Sequence, residues 1–184
     1  MIVIVIPAKA ASSRLPNKNM RDLNGRPMID YSIRQARQSK RANAVWVTTD
    51  SEEIADHVAA QGVDVVRRST ALGGDVPLFD VYRHAAETIG IDEIDVLIGL
   101  QVDHPDRTVG VDEAMKFFEE SGADYLTSSE ADGTVNGAYK IYTRAMLKTG
   151  EPTSHVVLVD DCTNIHYAED LAKASERLSA QDGS

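Results

Sequence analysis

The sequence is poor in cysteine and in long apolar runs, and each shortage excludes a class of protein. Cys162 is the only cysteine among 184 residues, so no disulfide can form within the chain, and no spacing of cysteine and histidine provides the four ligands of a zinc site. The most apolar N-terminal run, residues 1–6, is far too short to span a bilayer and lacks the basic segment and cleavage site of a signal peptide. We therefore expect a reduced, cytoplasmic protein with no membrane partner.

Lysine and arginine are also scarce relative to the acidic residues. The chain has 19 basic and 29 acidic residues, which gives a formal net charge of −10 at pH 7. Broad nucleic-acid binding needs clustered Lys and Arg to neutralise phosphates, and this chain has such a cluster only near its N-terminus. The composition therefore argues against a nucleic-acid partner and leaves a small anionic ligand open.

What the sequence does contain is enough apolar material for one folded unit. Hydrophobic residues make up 42% of the chain and charged residues 26%, a balance that supports a closed core and gives no reason to expect global disorder. No linker, internal repeat or low-complexity run interrupts this pattern. We expect one soluble domain over residues 1–184, with residues 181–184 as a frayed end.

Strand and helix patterns alternate along the chain. Residues 2–6 form an unbroken β-branched run, which predicts a strand buried on both faces of a parallel sheet. Further strands are predicted at 45–47, 63–66, 96–100, 125–128, 138–142 and 155–159. Helices are predicted from Pro27, from the cap at 50–53 to Gly62, and at 76–89, 111–118 and 167–178. This rhythm indicates a Rossmann-like α/β fold, a mostly parallel, mixed sheet with helices on both faces.

The loop after the first strand has a composition suited to a polyphosphate. Ligands of open α/β sheets bind at the carboxyl ends of the strands, where this loop must lie. The three cations Lys9, Arg14 and Lys18 can neutralise phosphate oxygens, and the Ser12 and Ser13 hydroxyls can donate hydrogen bonds. The loop matches neither the Gly-Lys-Ser/Thr of a Walker A motif nor Gly-x-Gly-x-x-Gly, so it gives no support to P-loop hydrolysis or to nicotinamide chemistry.

Two segments of this region resemble a known family. Residues 6–18 (IPAKAASSRLPNK) and 23–29 (LNGRPMI) are similar to the N-terminal signature of the cytidylyltransferases that make CMP-activated sugar acids. The resemblance continues through 47–54, 62–68 and the LQVDHP of residues 100–105, and it covers residues 1–120 better than the remainder. The nearest branches are the 3-deoxy-manno-octulosonate (KDO) and acylneuraminate enzymes.

The resemblance implies that a sugar hydroxyl attacks the α-phosphorus of CTP and that pyrophosphate leaves with Mg²⁺. CTP and a small anionic acceptor would then be the partners, and a homodimer is possible. The implied nucleotide-binding residues are Ala8, Lys9, Ser12, Ser13, Arg14, Lys18 and Asn19, with Arg68 near the cytosine. Lys9, Arg14, Lys18 and Asp103 would be catalytic, Asp103 would hold the Mg²⁺, and Gln101 would face the acceptor.

Several assignments stay open at the level of sequence. Asp75 either caps a helix from Val76 or contributes to substrate binding, and Asp103 taken alone is also typical of a turn before a proline. No residue is assigned as the general base. A sugar-phosphate nucleotidyltransferase using UTP or GTP, and a degenerate CTP-binding module without catalysis, remain alternative functions.

The chain also departs from the family pattern. Lys9 stands where the family usually has arginine, which keeps the charge but loses the planar guanidinium fork. His166 stands where a C-terminal aspartate is expected, and a neutral imidazole is a weaker magnesium ligand than a carboxylate. Asp160 or Asp161 is the candidate replacement. The segment between the strands at 138–142 and 155–159 is too short for the dimerisation and acceptor-binding insertion of the larger relatives, so the sequence does not identify the acceptor.

Overall fold

The computed structural model describes residues 1–12, 14–73 and 76–182. The strands are β1 Ile2–Ala8, β2 Asp22–Leu23, β3 Arg26–Pro27, β4 Ala44–Thr49, β5 Asp64–Arg67, β6 Val96–Leu100, β7 Tyr125–Ser129, β8 Val135–Thr143 and β9 His155–Val159. The α-helices are α1 Met28–Gln38, α2 Glu52–Ala60, α3 Leu78–Ile89, α4 Val111–Ser121, α5 Arg144–Thr149 and α6 Ala168–Asp182. Short 3₁₀ helices span Lys18–Met20, Thr70–Leu72 and Ile91–Glu93.

The sheet confirms the predicted α/β class. Its seven strands have the order β5-β4-β1-β6-β8-β7-β9, and β2 pairs separately with β3 in a small hairpin. Neighbouring strands are parallel except where β8 lies antiparallel to both β6 and β7. From β1 the chain builds first towards β4 and β5 and then crosses back to β6 on the other side of β1. The carboxyl ends of β1 and β6 therefore form the topological switch point, where open α/β sheets bind ligands.

Strand β1 carries side chains into both halves of the core. Ile4 and Ile6 pack on the face covered by α1 and α4, whereas Val3 and Val5 pack on the face of α3 and α5, and all four are completely buried. Pairing of β1 with β6 ends at Val5, while pairing with β4 continues to Ala8. The last residues of β1 therefore border an opening between the two strands.

Several boundaries differ from the sequence predictions. Helix α3 begins at Leu78 with Pro77 as its N-cap, so it starts two residues later than the predicted Val76. Helix α6 continues to Asp182 rather than ending at Leu178, and the Gln181 amide donates to the carbonyl of Asp106 at 3.2 Å, so the frayed end predicted from residue 181 was wrong there. The β2–β3 hairpin and helix α5 were not predicted. Within the described residues, every helix is too short or too polar to cross a membrane.

Gly99 is predicted to be essential for the packing of α3 on the sheet. A Cβ built at Gly99 would overlap the ring of Tyr82, which is fully buried. We expect Gly99→Ala to lower the free energy of unfolding by about 1–3 kcal/mol, as overpacked cores do. Chemical denaturation measures this loss. Gly110→Ala is the matched control because a Cβ there meets nothing within 4 Å, and an equal loss in both variants would contradict the packing argument.

Candidate functional site

A cavity of about 300 Å³ opens at the carboxyl ends of β1 and β6. The loop after β1 forms one wall, the segment after β5 and the start of α3 form another, and the loop after β6 forms the floor. The polar residues lining it are Lys9, Ser12, Arg14, Lys18, Asn19, Arg68, Gln101, Asp103 and His166. Among the described lining residues, four are cations and one is a carboxylate, so these residues together are positive although the chain carries a net charge of −10.

Lys18 and Asp103 form the central contact of the cavity. The Lys18 ammonium lies 2.6 Å from Oδ2 of Asp103 and also donates to the carbonyl of Ile165 at 3.2 Å. The side chains are 10% and 22% exposed, so the pair is mostly shielded but reachable from the cavity. The 3₁₀ turn that starts at Lys18 follows Asn17, which lies in the left-handed region at φ 55°.

The segment before α6 closes the cavity from the C-terminal side. The amide of Ile165 donates to the carbonyl of Asp103 at 2.9 Å, so this segment is bonded directly to the floor loop. Its position is fixed further by Asp106, whose fully buried carboxylate accepts from the amide and hydroxyl of Thr163 and faces Arg177 at 2.6 Å. Neither Asp106 nor Arg177 was identified from the sequence.

Arg68 follows β5 and lines the same cavity as Lys18. Its guanidinium donates to the carbonyl of Thr48 at 2.5 Å and lies 3.6 Å from Oδ1 of Asp50. The same Asp50 oxygen accepts from the amide of Ala10 at 2.8 Å, so Asp50 joins the loop after β1 to Arg68. Burial lowers the pKa of Arg68, and the Asp50 carboxylate opposes that shift. Asp50 entered the sequence analysis only as part of a helix cap, although Ser51 is the residue that caps α2.

Gly137 fits closely against Gln101. The Gln101 amide donates to the carbonyl of Gly137 at 2.7 Å, and Gly137 has a φ of 76°. A Cβ at Gly137 would lie 2.5 Å from Nε2 of Gln101. The carboxamide of Gln101 is therefore held at the cavity edge by strand β8, and its oxygen is the atom left for another partner.

Not every residue predicted for the site lines the cavity. Ala8 is buried at the end of β1, and Ser13 and Asp75 lie outside the described residues. The proposed substitutes for the C-terminal aspartate are also absent from the lining. Asp160 is fully buried and accepts from the amide and hydroxyl of Thr108, whereas Asp161 is largely exposed.

His104 and Arg107 in the floor loop serve the fold rather than the cavity. His104 is 1% exposed, and burial holds its pKa well below the ordinary histidine value, with the Arg107 charge adding to that shift. The Arg107 guanidinium donates to the carbonyls of Ala138 and His104 and to the side chains of Ser32 and Gln35. Both side chains are therefore expected to remain inside the protein.

The described residues contain no group of three or more His, Cys, Asp or Glu side chains arranged to hold a metal. Asp103 is the single carboxylate among the described lining residues. A hard cation such as Mg²⁺ commonly uses one or two carboxylates together with substrate phosphates rather than a cage made only of protein. Asp103 beside the cations Lys9, Arg14 and Lys18 fits that arrangement.

Known proteins match this chain both in sequence and in fold. A family model described as cytidylyltransferase matches residues 3–105, more than half of the chain. The 3-deoxy-manno-octulosonate cytidylyltransferase of Pelodictyon phaeoclathratiforme is 41% identical over 128 residues, which is 68% of this chain and 49% of that enzyme. The chain spans about half the length of the curated relatives it matches.

Solved structures share the fold at low sequence identity. A CMP:2-keto-3-deoxy-manno-octonic acid synthetase solved with CTP superposes with a TM-score of 0.78 at 18% identity, and covers 98% of this chain and 99% of that one. A Mycobacterium tuberculosis protein solved with manganese gives a TM-score of 0.67 at 14% identity, with 95% and 98% covered. The resemblance seen in the N-terminal motifs is confirmed: the chain belongs to the cytidylyltransferase family.

Proposed function

We propose that this protein transfers CMP from CTP to an anionic sugar-acid acceptor of the KDO or sialic-acid type and releases pyrophosphate. The observation that carries the proposal is the cavity itself, where four cations and one carboxylate of the described residues converge at the switch point of the sheet. Such a distribution attracts a triphosphate into an otherwise acidic molecule. The family membership and the names of the sequence relatives support the choice of CTP and of a sugar acid.

The reaction needs charge stabilisation more than covalent chemistry. The acceptor hydroxyl loses its proton to solvent as its oxygen forms a bond to the α-phosphorus, the bond from that phosphorus to the bridging oxygen breaks, and pyrophosphate takes the electron pair. In this proposal Lys9, Arg14 and Lys18 neutralise the triphosphate and the charge that develops on the leaving oxygens. Ser12 and Asn19 add hydrogen-bond donors, although Nδ2 of Asn19 already donates to the carbonyl of Lys9 at 2.8 Å.

The remaining lining residues orient the two substrates. Arg68 is proposed to lie near the cytosine, with its guanidinium fixed by Thr48 and Asp50. The Gln101 carboxamide oxygen is proposed to accept from an acceptor hydroxyl because its nitrogen is already bonded to Gly137. Ala8 and Ser13 remain proposed contributors to nucleotide binding from the sequence resemblance, and Asp75 remains a proposed contributor to substrate binding from its position before α3. The cationic wall also favours an acceptor that carries a carboxylate.

A divalent cation bound with the nucleotide would add positive charge beside the phosphates, and Asp103 is the residue proposed to hold it. Its Oδ2 is already the acceptor for the Lys18 ammonium, so the same oxygen can attract either cation. Mg²⁺ is the proposed ion because a carboxylate and phosphate oxygens are hard ligands. His166 also lines the cavity, and its imidazole is a poorer ligand for Mg²⁺ than the carboxylate of Asp103.

A thermal-shift panel tests the proposal without an acceptor. CTP, UTP, GTP and ATP are compared with and without Mg²⁺. A ligand that binds only the folded protein raises the melting temperature more when it binds more tightly, so CTP is expected to give the largest rise. Pyrophosphate release is then measured with CTP, Mg²⁺ and a panel of sugar acids. Preference for UTP or GTP would replace the cytidylyltransferase assignment with a sugar-phosphate nucleotidyltransferase, and CTP binding without turnover would leave a non-catalytic CTP-binding module.

A further inference from the structure

We infer that Lys18 makes the binding of a divalent cation at Asp103 depend on prior binding of a nucleoside triphosphate. This inference rests on the proposed function because it assumes that Lys18 serves the phosphates and Asp103 the divalent cation. The observation that carries it is the 2.6 Å contact between the Lys18 ammonium and Oδ2 of Asp103. A carboxylate oxygen that already bears an ammonium at this distance is a poor ligand for a second cation.

The contact between Lys18 and Asp103 is expected to be stable when the cavity holds no ligand. Both side chains are largely shielded from solvent, and Lys18 has a second acceptor in the carbonyl of Ile165 at 3.2 Å. That carbonyl belongs to a segment bonded through Ile165 to the backbone of Asp103 and through Thr163 to Asp106. If Lys18 and Asp103 separate without new partners, each is left as a shielded, unpaired charge, and this raises the free energy of the protein.

A triphosphate supplies the replacement partner. Its oxygens offer the Lys18 ammonium a stronger anionic acceptor, and the carboxylate of Asp103 is then free for a divalent cation. Each ligand therefore lowers the cost of binding the other, and by linkage the effect is reciprocal. Lys18 thus acts as an internal counter-ion that disfavours binding of a divalent cation at Asp103 until the nucleotide binds.

The direct test measures Mn²⁺ binding to the nucleotide-free protein by the electron paramagnetic resonance of free Mn²⁺. We expect Lys18→Met to bind Mn²⁺ about tenfold more tightly than the wild type, within the range of about 5- to 150-fold typical of coupled sites. Adding Asp103→Asn to Lys18→Met is expected to remove that gain. Thermal melting followed by circular dichroism confirms that each variant is folded. If Lys18→Met does not fold, Lys18→Gln replaces it.

Lys9→Met is the charge-matched control because it removes another cation from the same cavity. Its nucleotide-free Mn²⁺ affinity is expected to stay within about twofold of the wild type, since no contact with Asp103 is expected of Lys9. The inference is overturned if neither Lys18 variant binds Mn²⁺ more tightly than the wild type. It is equally overturned if Lys9→Met gains as much, because a general effect of cavity charge would then explain both variants.

A second test measures CTP affinity in EDTA, where a simple metal ligand has no role. Asp103→Asn is expected to bind metal-free CTP several-fold more tightly than the wild type, because Lys18 no longer has to leave its partner. In protein that also carries Lys18→Met, Asp103→Asn should no longer increase the affinity for CTP. If Asp103 acted only by repelling phosphate, the increase would remain. Wild-type protein that binds no CTP at all would defeat the proposed function, and the Mn²⁺ titration would still decide the role of Lys18.

Discussion

Asp103→Asn is expected to abolish most CTP-dependent pyrophosphate release in the presence of Mg²⁺. The substitution keeps the size of the side chain and removes the only carboxylate among the described lining residues. It leaves Lys18 with an amide and the carbonyl of Ile165 in place of its ion pair. Loss of one preorganised charge-stabilising group typically lowers kcat by about 10²–10³-fold. A coupled pyrophosphate assay with saturating CTP and acceptor measures this change.

Asp161→Asn is the matched control for this experiment. It makes the same acid-to-amide change at a side chain that is 67% exposed and faces Arg177 at 3.8 Å rather than the cavity. Its turnover is expected to equal that of the wild type. Asp161 was one candidate for the missing C-terminal carboxylate, so a large loss in Asp161→Asn together with a small one in Asp103→Asn would move the metal site away from the β6 loop.

The central strands and the position of the cationic loop after β1 were predictable because their signals are local. The apolar run at 2–6 can be buried on both faces only in a covered sheet, and the structure buries Val3, Ile4, Val5 and Ile6 completely. The cations of the loop after β1 follow that strand directly in sequence. Topology alone then brings them to the switch point, which is why Lys9, Arg14 and Lys18 line one cavity.

The residues that the sequence did not reveal act through long-range contacts. Asp50 contacts Ala10, which lies 40 residues earlier in the sequence, and Arg68, which lies 18 residues later. No local sequence pattern indicates such a pair of contacts. The Lys18 contact with Asp103 spans 85 residues of sequence. Helix α5 has only 6 residues and β2 has 2, so neither is long enough to show a clear hydrophobic period.

Asp106 connects these long-range contacts with the stability of the whole molecule. Its carboxylate has no exposed surface and is held by Thr163 and by Arg177 of helix α6. Arg177 itself is 29% exposed, so the pair is more buried than open. Removing one member of a buried ion pair usually costs more than the pair contributes, because the other charge is left without a partner.

Asp106→Asn is therefore expected to lower the free energy of unfolding by about 3–5 kcal/mol, with a fall in Tm of roughly 6–20 °C for a chain of this size. The amide can still accept from the Thr163 backbone, but its NH₂ group offers nothing to the Arg177 guanidinium. Urea denaturation measures the loss. Glu176→Gln, at an exposed position on the same helix, is the control and is expected to change stability little.

The same substitution separates a purely structural role from a role in the site. Asp106 holds Thr163, and two residues further on the Ile165 carbonyl accepts from Lys18. Loosening this segment should weaken the placement of Lys18, so the shift in Tm caused by CTP should shrink in Asp106→Asn and not in Glu176→Gln. Assays run well below the Tm of each variant keep the two effects apart. An unchanged CTP shift in a destabilised Asp106→Asn protein would confine Asp106 to the fold and leave Asp103 as the main anchor of Lys18.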